Sequence, residues 1–80
     1  MISLSELATS IISEIIDYPE KLSIEEKTGT SSIIIGISTP EKNDIAQIIG
    51  RNGHTIMALK KILERVAHKR GSRCTVYVVD

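Results

Sequence analysis

The four residues Gly50-Arg51-Asn52-Gly53 constrain this chain most, because they join two helix-forming segments by a very short turn. Two glycines three positions apart permit positive φ angles and remove side chains that would block a close approach. The first amides of the following helix have no intrahelical partner, and its dipole places positive charge there. These are the components of a phosphate-binding site. Arg51 adds a permanent cation, and Asn52 adds a neutral donor that tolerates turn geometry.

The segment at the start of the chain predicts an amphipathic helix. Ser3 and Glu6 have the spacing of a capping box. Apolar residues then recur at i, i+3 and i+4, which is typical of a helix with one buried face. Pro19 predicts the end of this helix near Asp17 or Tyr18.

Two strands are predicted next. Residues Lys21 to Lys27 alternate between polar and apolar, which favours a half-buried strand. Residues Ser32 to Ser38 are apolar on both faces, which favours a central strand. The turn at Thr28-Gly29-Thr30 predicts that the two strands pair as an antiparallel hairpin. Gly36 predicts a bulge or the close approach of a helix.

Two helices follow, one on each side of the glycine turn. Thr39 as N-cap and Pro40 in the first turn predict a short helix that ends at Gly50. A longer helix is predicted to begin near His54 and to end at Gly71. The residues of this second helix that are predicted to face the core are Ile56, Leu59, Ile62, Leu63, Val66 and Ala67.

A last strand is predicted from Arg73 to Val79, with Cys74, Val76 and Val78 on one face. The element order is then α-β-β-α-α-β. Two helices between the last two strands favour a parallel, right-handed crossover, which places Ser32–Ser38 in the middle of the sheet. The predicted fold class is α+β, a three-stranded mixed sheet with helices packed on one face. We expect one domain over residues 1–80, because the chain is short.

Charge is unevenly distributed along this neutral chain. Residues 1–50 contain three basic and eight acidic side chains, whereas residues 51–80 contain seven basic and two acidic ones. This asymmetry predicts a localised basic surface. The single Cys74 excludes an intrachain disulfide and a zinc site built from thiolates, and no cofactor is expected. The chain has no signal-peptide pattern and no apolar run near the ~20 residues of a membrane span, so we expect a cytoplasmic location.

The run from Ile45 to Ile56 resembles the KH signature I-I-G-x-x-G-x-x-I, and the element order resembles the type II arrangement of that fold. The size, the N-terminal helix and the ending after Tyr77-Val78-Val79 resemble the small bacterial single-KH proteins of the KhpA family. The resemblance covers essentially the whole chain. It implies an RNA-binding protein that acts as a global RNA chaperone or post-transcriptional regulator. It also implies a homodimer, or a heterodimer with a second KH-containing RNA-binding protein.

In KH domains the glycine loop holds the backbone of single-stranded RNA, and the bases lie in an adjacent aliphatic groove. Some of the isoleucines beside the loop must serve the core, and histidine is a weaker cation at pH 7 than lysine. The only aromatic residues are Tyr18 and Tyr77, so a stacking platform is not expected and affinity should be modest. The candidate RNA-binding residues are Gly50, Arg51, Asn52, Gly53, His54, Ile48, Ile49, Ile56 and Lys61.

Other functions fit parts of this pattern. A DNA-binding helix-turn-helix also joins two helices by a glycine-containing turn, although the flanking strands and paired glycines favour KH. A protein-interaction or dimerisation module would use an apolar patch on the open sheet face, with some of Ile33–Ile37 and Tyr77 or Val79. Catalysis is not expected, because Gly50–Gly53 lacks the Walker pattern and the acidic residues have no paired histidine at a recognisable spacing.

Overall fold

The computed structural model describes residues 1–79, and that part of the chain forms three α-helices and three β-strands in the predicted order. Short 3₁₀ turns at Pro19–Lys21 and Arg51–Gly53 precede the first strand and the third helix. None of the helices in this described part is long and apolar enough to cross a membrane. The elements are α1 (Leu4–Ser13), β1 (Ser23–Thr28), β2 (Ser32–Ser38), α2 (Lys42–Ile49), α3 (His54–Lys69) and β3 (Arg73–Val78).

The strands form one mixed sheet in the order β1-β2-β3. Strand β1 pairs antiparallel with β2, and β2 pairs parallel with β3. The predicted central position of β2 and the parallel pairing of the last two strands are therefore confirmed. The helix-side residues of β2 are Ile35 and Ile37, both fully buried, and Val76 of β3 lies beside Ile35. Apolar residues of all three helices pack onto this face.

The close contact at Gly36 is made by a different group from the one predicted. The β1–β2 register runs through it without interruption, so there is no bulge. A Cβ built at Gly36 would lie 2.6 Å from the hydroxyl oxygen of Tyr77, its neighbour on β3. The approach is therefore that of the Tyr77 ring on the open face of the sheet, and the predicted approach of a helix was wrong.

Helix α1 begins as predicted but ends earlier. The Ser3 hydroxyl accepts from the N–H of Glu6 (3.1 Å), and the Glu6 carboxylate accepts from the N–H of Ser3 (3.3 Å), which completes the capping box. The helix ends at Ser13 and not near residue 17. The chain turns instead toward α2, where the buried Asp44 carboxylate accepts hydrogen bonds from the backbone N–H groups of residues 17 and 18.

Two other element starts also differ from the prediction. Strand β1 begins at Ser23, because Pro19–Lys21 form a 3₁₀ turn. Helix α2 begins at Lys42 with Glu41 as its N-cap residue, and Thr39 instead accepts a hydrogen bond from the N–H of Glu41 (3.3 Å). Thr39 therefore caps the turn that leads into α2 and not the helix itself.

The core stripe of α3 is confirmed except at one position. Leu59, Leu63 and Ala67 are buried, and Ile56 and Val66 pack beside them. Ile62 is 50% exposed. At ~100° per residue it lies to one side of the stripe, where the helix face turns toward solvent.

Candidate nucleic-acid interface

The segment Gly50–Gly53, called the GRNG loop here, reverses the chain through three positive φ angles. Helix α2 ends with a hydrogen bond from the N–H of Gly50 to the carbonyl of Ala46 (2.9 Å). The φ angle is 78° at Gly50, 56° at Asn52 and 73° at Gly53, and Asn52 is the one non-glycine residue with a positive φ among residues 1–79. The N–H of Gly53 donates to the carbonyl of Gly50 (3.1 Å), so the turn is closed directly before α3.

The two glycines are required for different reasons. A Cβ at Gly50 would lie 2.2 Å from the Thr55 hydroxyl oxygen and 2.8 Å from the Thr55 backbone nitrogen. Gly50 therefore allows the first turn of α3 to pack against the end of α2. A Cβ at Gly53 would meet nothing within 4 Å. The absent side chain at Gly53 leaves open space on the outside of the loop, through which another backbone can approach closely.

The start of α3 offers favourable electrostatics for an anion. No side chain caps its N-terminus, and its first turn contains no acidic residue. The helix is 16 residues long, so its dipole places partial positive charge at the loop. Arg51 and Asn52 are exposed on the loop itself. Neither side chain forms a hydrogen bond or ion pair with another of residues 1–79, so both are free to bind a ligand.

The three candidate isoleucines beside the loop have different environments. Ile48 is only 1% exposed and belongs to the core, so it is one of the flanking isoleucines that serve the core, and its side chain is not available to RNA bases. Ile56 is half-buried and packs against the core. Ile49 is also half-buried but lies outside the core cluster, which leaves part of its side chain available at the surface.

A groove beside α2 contains residues that sequence reasoning had not assigned to the site. It measures ≈ 420 Å³ and lies where β2 ends and α2 begins. Ile45, one turn before Ile49 on α2, faces this groove and is not part of the core cluster. The i, i+4 spacing of Ile45 and Ile49 was the available signal in the sequence. The residues that line the groove are Ser38, Thr39, Pro40, Lys42, Ile45 and Val79.

The cations of α3 are largely free of partners. His54 is exposed at the first position of the helix, and Lys61 is exposed two turns further on. Among residues 1–79 the one ion pair joins Lys21 and Glu41, at 3.4 Å between Nζ and Oε2. Lys61 and Arg65, neither of them in an ion pair, therefore place further positive charge along α3, with the acidic Glu64 beside them. Their distance from the loop in sequence makes them secondary to Arg51.

The remaining chemistry-bearing groups do not form a second site around this loop. Cys74 is buried on β3, and burial together with nearby Glu64 and Glu26 raises the pKa of its thiol. No group of three or more potential metal ligands occurs within residues 1–79. The loop, the uncapped helix start and the neighbouring isoleucines are therefore the features with binding chemistry.

An α-β-β-α-α-β chain with a mixed three-stranded sheet and a G-x-x-G turn between its second and third helices has the type II KH fold. The KH-domain family described as KhpA/KhpB matches residues 5–78, and the chain belongs to that family. It is a family of binding domains and not of enzymes.

Relatives of similar length carry the name RNA-binding protein KhpA. The chain is 35% identical over 77 residues to the protein of that name from Chlamydia pneumoniae, covering 96% of this chain and 97% of the relative. It is 36% identical over 70 residues to the one from Chlamydia caviae, covering 88% of each. Identity to the Clostridium acetobutylicum protein is 25% over 76 residues, covering 95% of this chain and all of the relative.

Proposed function

We propose that residues 1–80 act as a single KH domain that binds single-stranded RNA and holds its backbone with the GRNG loop. The observation that carries this proposal is the combination of open space outside Gly53 with an uncapped helix start behind it. A phosphate there would receive backbone N–H groups and the helix dipole, as in other anion sites at helix starts. The name of the curated relatives, RNA-binding protein KhpA, supports RNA as the ligand.

Different side chains around the loop would contact the RNA backbone and the RNA bases. Arg51 is the main cation for a phosphate, Asn52 adds hydrogen bonds, and His54 and Lys61 extend the path along α3. Ile49, with Ile45 beside it, offers an aliphatic surface for bases. Because this surface has no aromatic side chain, affinity should depend on backbone contacts and sequence preference should be weak.

In the cell this activity fits a cytoplasmic RNA chaperone or post-transcriptional regulator that acts with a partner. The family description pairs KhpA with KhpB, which supports association with a second KH-containing protein or with another copy. One domain that clamps about four nucleotides gains affinity when a second domain binds the same strand. Association is therefore part of the proposed function.

The test is a double charge reversal in the loop. Changing Arg51 and Asn52 together to Asp should abolish the gel shift of single-stranded RNA, because two carboxylates repel the phosphate and compete for its amides. A matched control, Lys27→Asp with Ser31→Asp, makes the same change in net charge on the β1–β2 hairpin and should bind RNA nearly as the wild type does. Circular dichroism should show both variants folded.

Salt and duplex controls complete this experiment. Wild-type affinity should fall as salt concentration rises, because phosphate contacts release counterions. Binding to single-stranded RNA should exceed binding to duplex DNA, the ligand of a helix-turn-helix protein. A folded loop variant that still shifts RNA normally would show that the loop is not the binding site.

A further inference from the structure

The C-terminal end of α3 carries a cluster of basic side chains, called the basic end of α3 here. Two depressions of ≈ 620 and ≈ 670 Å³ lie there, and they share Lys69. No acidic residue among residues 1–79 lines either depression, so this surface favours an anion. The four basic residues that line the two depressions are all exposed, and they are Arg65, His68, Lys69 and Arg70.

The acidic residues near this end of α3 face other elements. Glu64 borders a separate depression together with the first residues of β3. From that position it helps to raise the pKa of the Cys74 thiol, so its charge acts toward β3. The carboxylates of Glu6 and Glu26 accept hydrogen bonds from backbone N–H groups at the start of α1. In the described part of the chain none of the three forms an ion pair with the basic end of α3.

The last carbonyl groups of α3 do not depend on these cations. Basic side chains are common at helix ends because they bond the last carbonyls or interact favourably with the helix dipole. Here the N–H of Gly71 donates to the carbonyl of His68 (3.0 Å), and the N–H of Ser72 donates to that of Ala67 (2.8 Å). The backbone therefore closes the helix itself, and capping does not explain the cluster.

Most of the basic end is available to a ligand. Arg70 is the exception, because it donates a 2.9 Å hydrogen bond to the carbonyl of Ile2 and so fastens the start of the chain. The side chains of Arg65, His68 and Lys69 form no hydrogen bond or ion pair with another of residues 1–79. Arg65 also lies before the last turn of α3, outside the region where the helix dipole acts.

The basic end continues a line of positive charge that begins at the GRNG loop. At about 100° per residue, His54, Lys61 and Arg65 lie within about 40° of one another around α3. Arg65 lies about 17 Å further along the helix axis than His54, at about 1.5 Å per residue. A strand bound at the loop can therefore follow one side of α3 to its opposite end.

We propose that the basic end of α3 is a second phosphate-contact site, which holds the backbone of RNA that extends beyond the GRNG loop. The proposal rests on the proposed function and names the size of its ligand. One KH loop clamps about four nucleotides. A stacked strand advances about 3.4 Å per nucleotide, so about five more nucleotides reach Arg65. Continuity with the loop favours RNA over an acidic protein as the occupant. Contacts to phosphates add affinity without adding sequence preference.

NMR spectra of the wild type test this site without any substitution. A single-stranded RNA of about four nucleotides should shift amide signals of the GRNG loop and of the first turn of α3. An RNA of about twelve nucleotides that contains the same sequence should also shift the amide signals of residues 65–70. If the longer RNA shifts no signal there beyond those that the shorter RNA shifts, the proposal is overturned.

A charge reversal at the basic end measures its contribution. Arg65→Glu with Lys69→Glu should weaken binding of the longer RNA by about 10- to 30-fold at ~0.1 M salt, because two phosphate contacts are lost. The slope of log affinity against log salt should become shallower by about 1.4. Binding of the shorter RNA should change by less than about twofold, since charges this far from the loop are screened.

The matched control makes the same change in net charge elsewhere on the surface. Lys21→Glu with Lys27→Glu replaces two exposed lysines at β1 and the turn before it, and breaks only the surface ion pair of Lys21. This variant should bind both RNAs nearly as the wild type does. An equal loss of affinity in the control would mean that net charge matters and the basic end does not, which would overturn the proposal.

Further measurements separate this site from the loop and from association. Sedimentation should show the basic-end variant in the same oligomeric state as the wild type; if the state changes, Arg65→Glu alone decides, with an expected loss of about 0.7 in salt slope. The loop variant, Arg51→Asp with Asn52→Asp, should shift neither RNA in a gel. A wild type that binds neither RNA would contradict the proposed function. A wild type that binds both RNAs with equal affinity and salt slope would contradict only the second site.

Discussion

The two ends of α2 place polar groups in opposite situations. At its start, Asp44 is fully buried, and its carboxylate oxygens accept from the N–H groups of Asp17 and Tyr18, each at 3.0 Å. At its end, Arg51 and Asn52 are exposed and have no side-chain partner among residues 1–79. We call the first cluster the Asp44 junction and compare it with the GRNG loop.

The difference separates polar groups that hold the fold from polar groups that are available to a ligand. A buried carboxylate is tolerated only when it is hydrogen-bonded, so the Asp44 junction is a structural element that ties the chain after α1 to α2. The GRNG loop satisfies its own turn and leaves its outer surface unpaired. The Asp44 junction lies at the start of α2 and the GRNG loop at its end, so the junction helps to fix the position of the loop.

The largest expected effect comes from breaking the junction with Asp44→Ala. Two backbone N–H groups lose a charged acceptor, so the free energy of unfolding should fall by about 3 kcal/mol in urea denaturation. The control is Asp17→Ala, which removes an exposed carboxylate that accepts only from Gln47 and should change stability by less than about 0.5 kcal/mol. If the two variants have the same free energy of unfolding, the buried carboxylate stabilises the fold no more than the exposed one does, and the Asp44 junction is not a structural element.

The GRNG loop was predictable from sequence because its evidence is local. Two glycines, a cation and the flanking apolar residues lie within one short segment, and the structure places them as a closed turn. The Asp44 junction was not predictable, because its partners are 26 and 27 residues away in sequence and end α1 before any local stop signal. Ile62 shows the same limit. Helical periodicity identifies an apolar side, but the width of the buried stripe depends on how α1 packs against α3.

The second largest loss of stability is expected for Gly50→Ala, a change within the GRNG loop itself. Its φ of 78° and ψ of 173° are almost restricted to glycine, and a Cβ there would collide with the side chain and backbone of Thr55. The free energy of unfolding should fall by about 2 kcal/mol, measured in the same denaturation assay. Gly50 therefore behaves as part of the fold, like Asp44, although it lies in the binding loop. A Gly50→Ala protein as stable as the wild type would contradict this assignment.

The smallest stability effect, and the sharpest test of the comparison, is Gly53→Ala. Its φ of 73° and ψ of 14° lie in the left-handed region, where a non-glycine residue costs about 1 kcal/mol. No atom lies within 4 Å of the added methyl group, so no further loss from packing is expected. That methyl group would occupy the space through which the RNA backbone approaches, and the affinity for RNA should fall about tenfold, corresponding to about 1.4 kcal/mol.

Gly53→Asn serves as the companion variant, because asparagine tolerates this backbone conformation and Asn52 already adopts it. It should restore stability but not RNA affinity. Recovery of both would mean that Gly53 is needed only for its φ angle and that the backbone does not approach there.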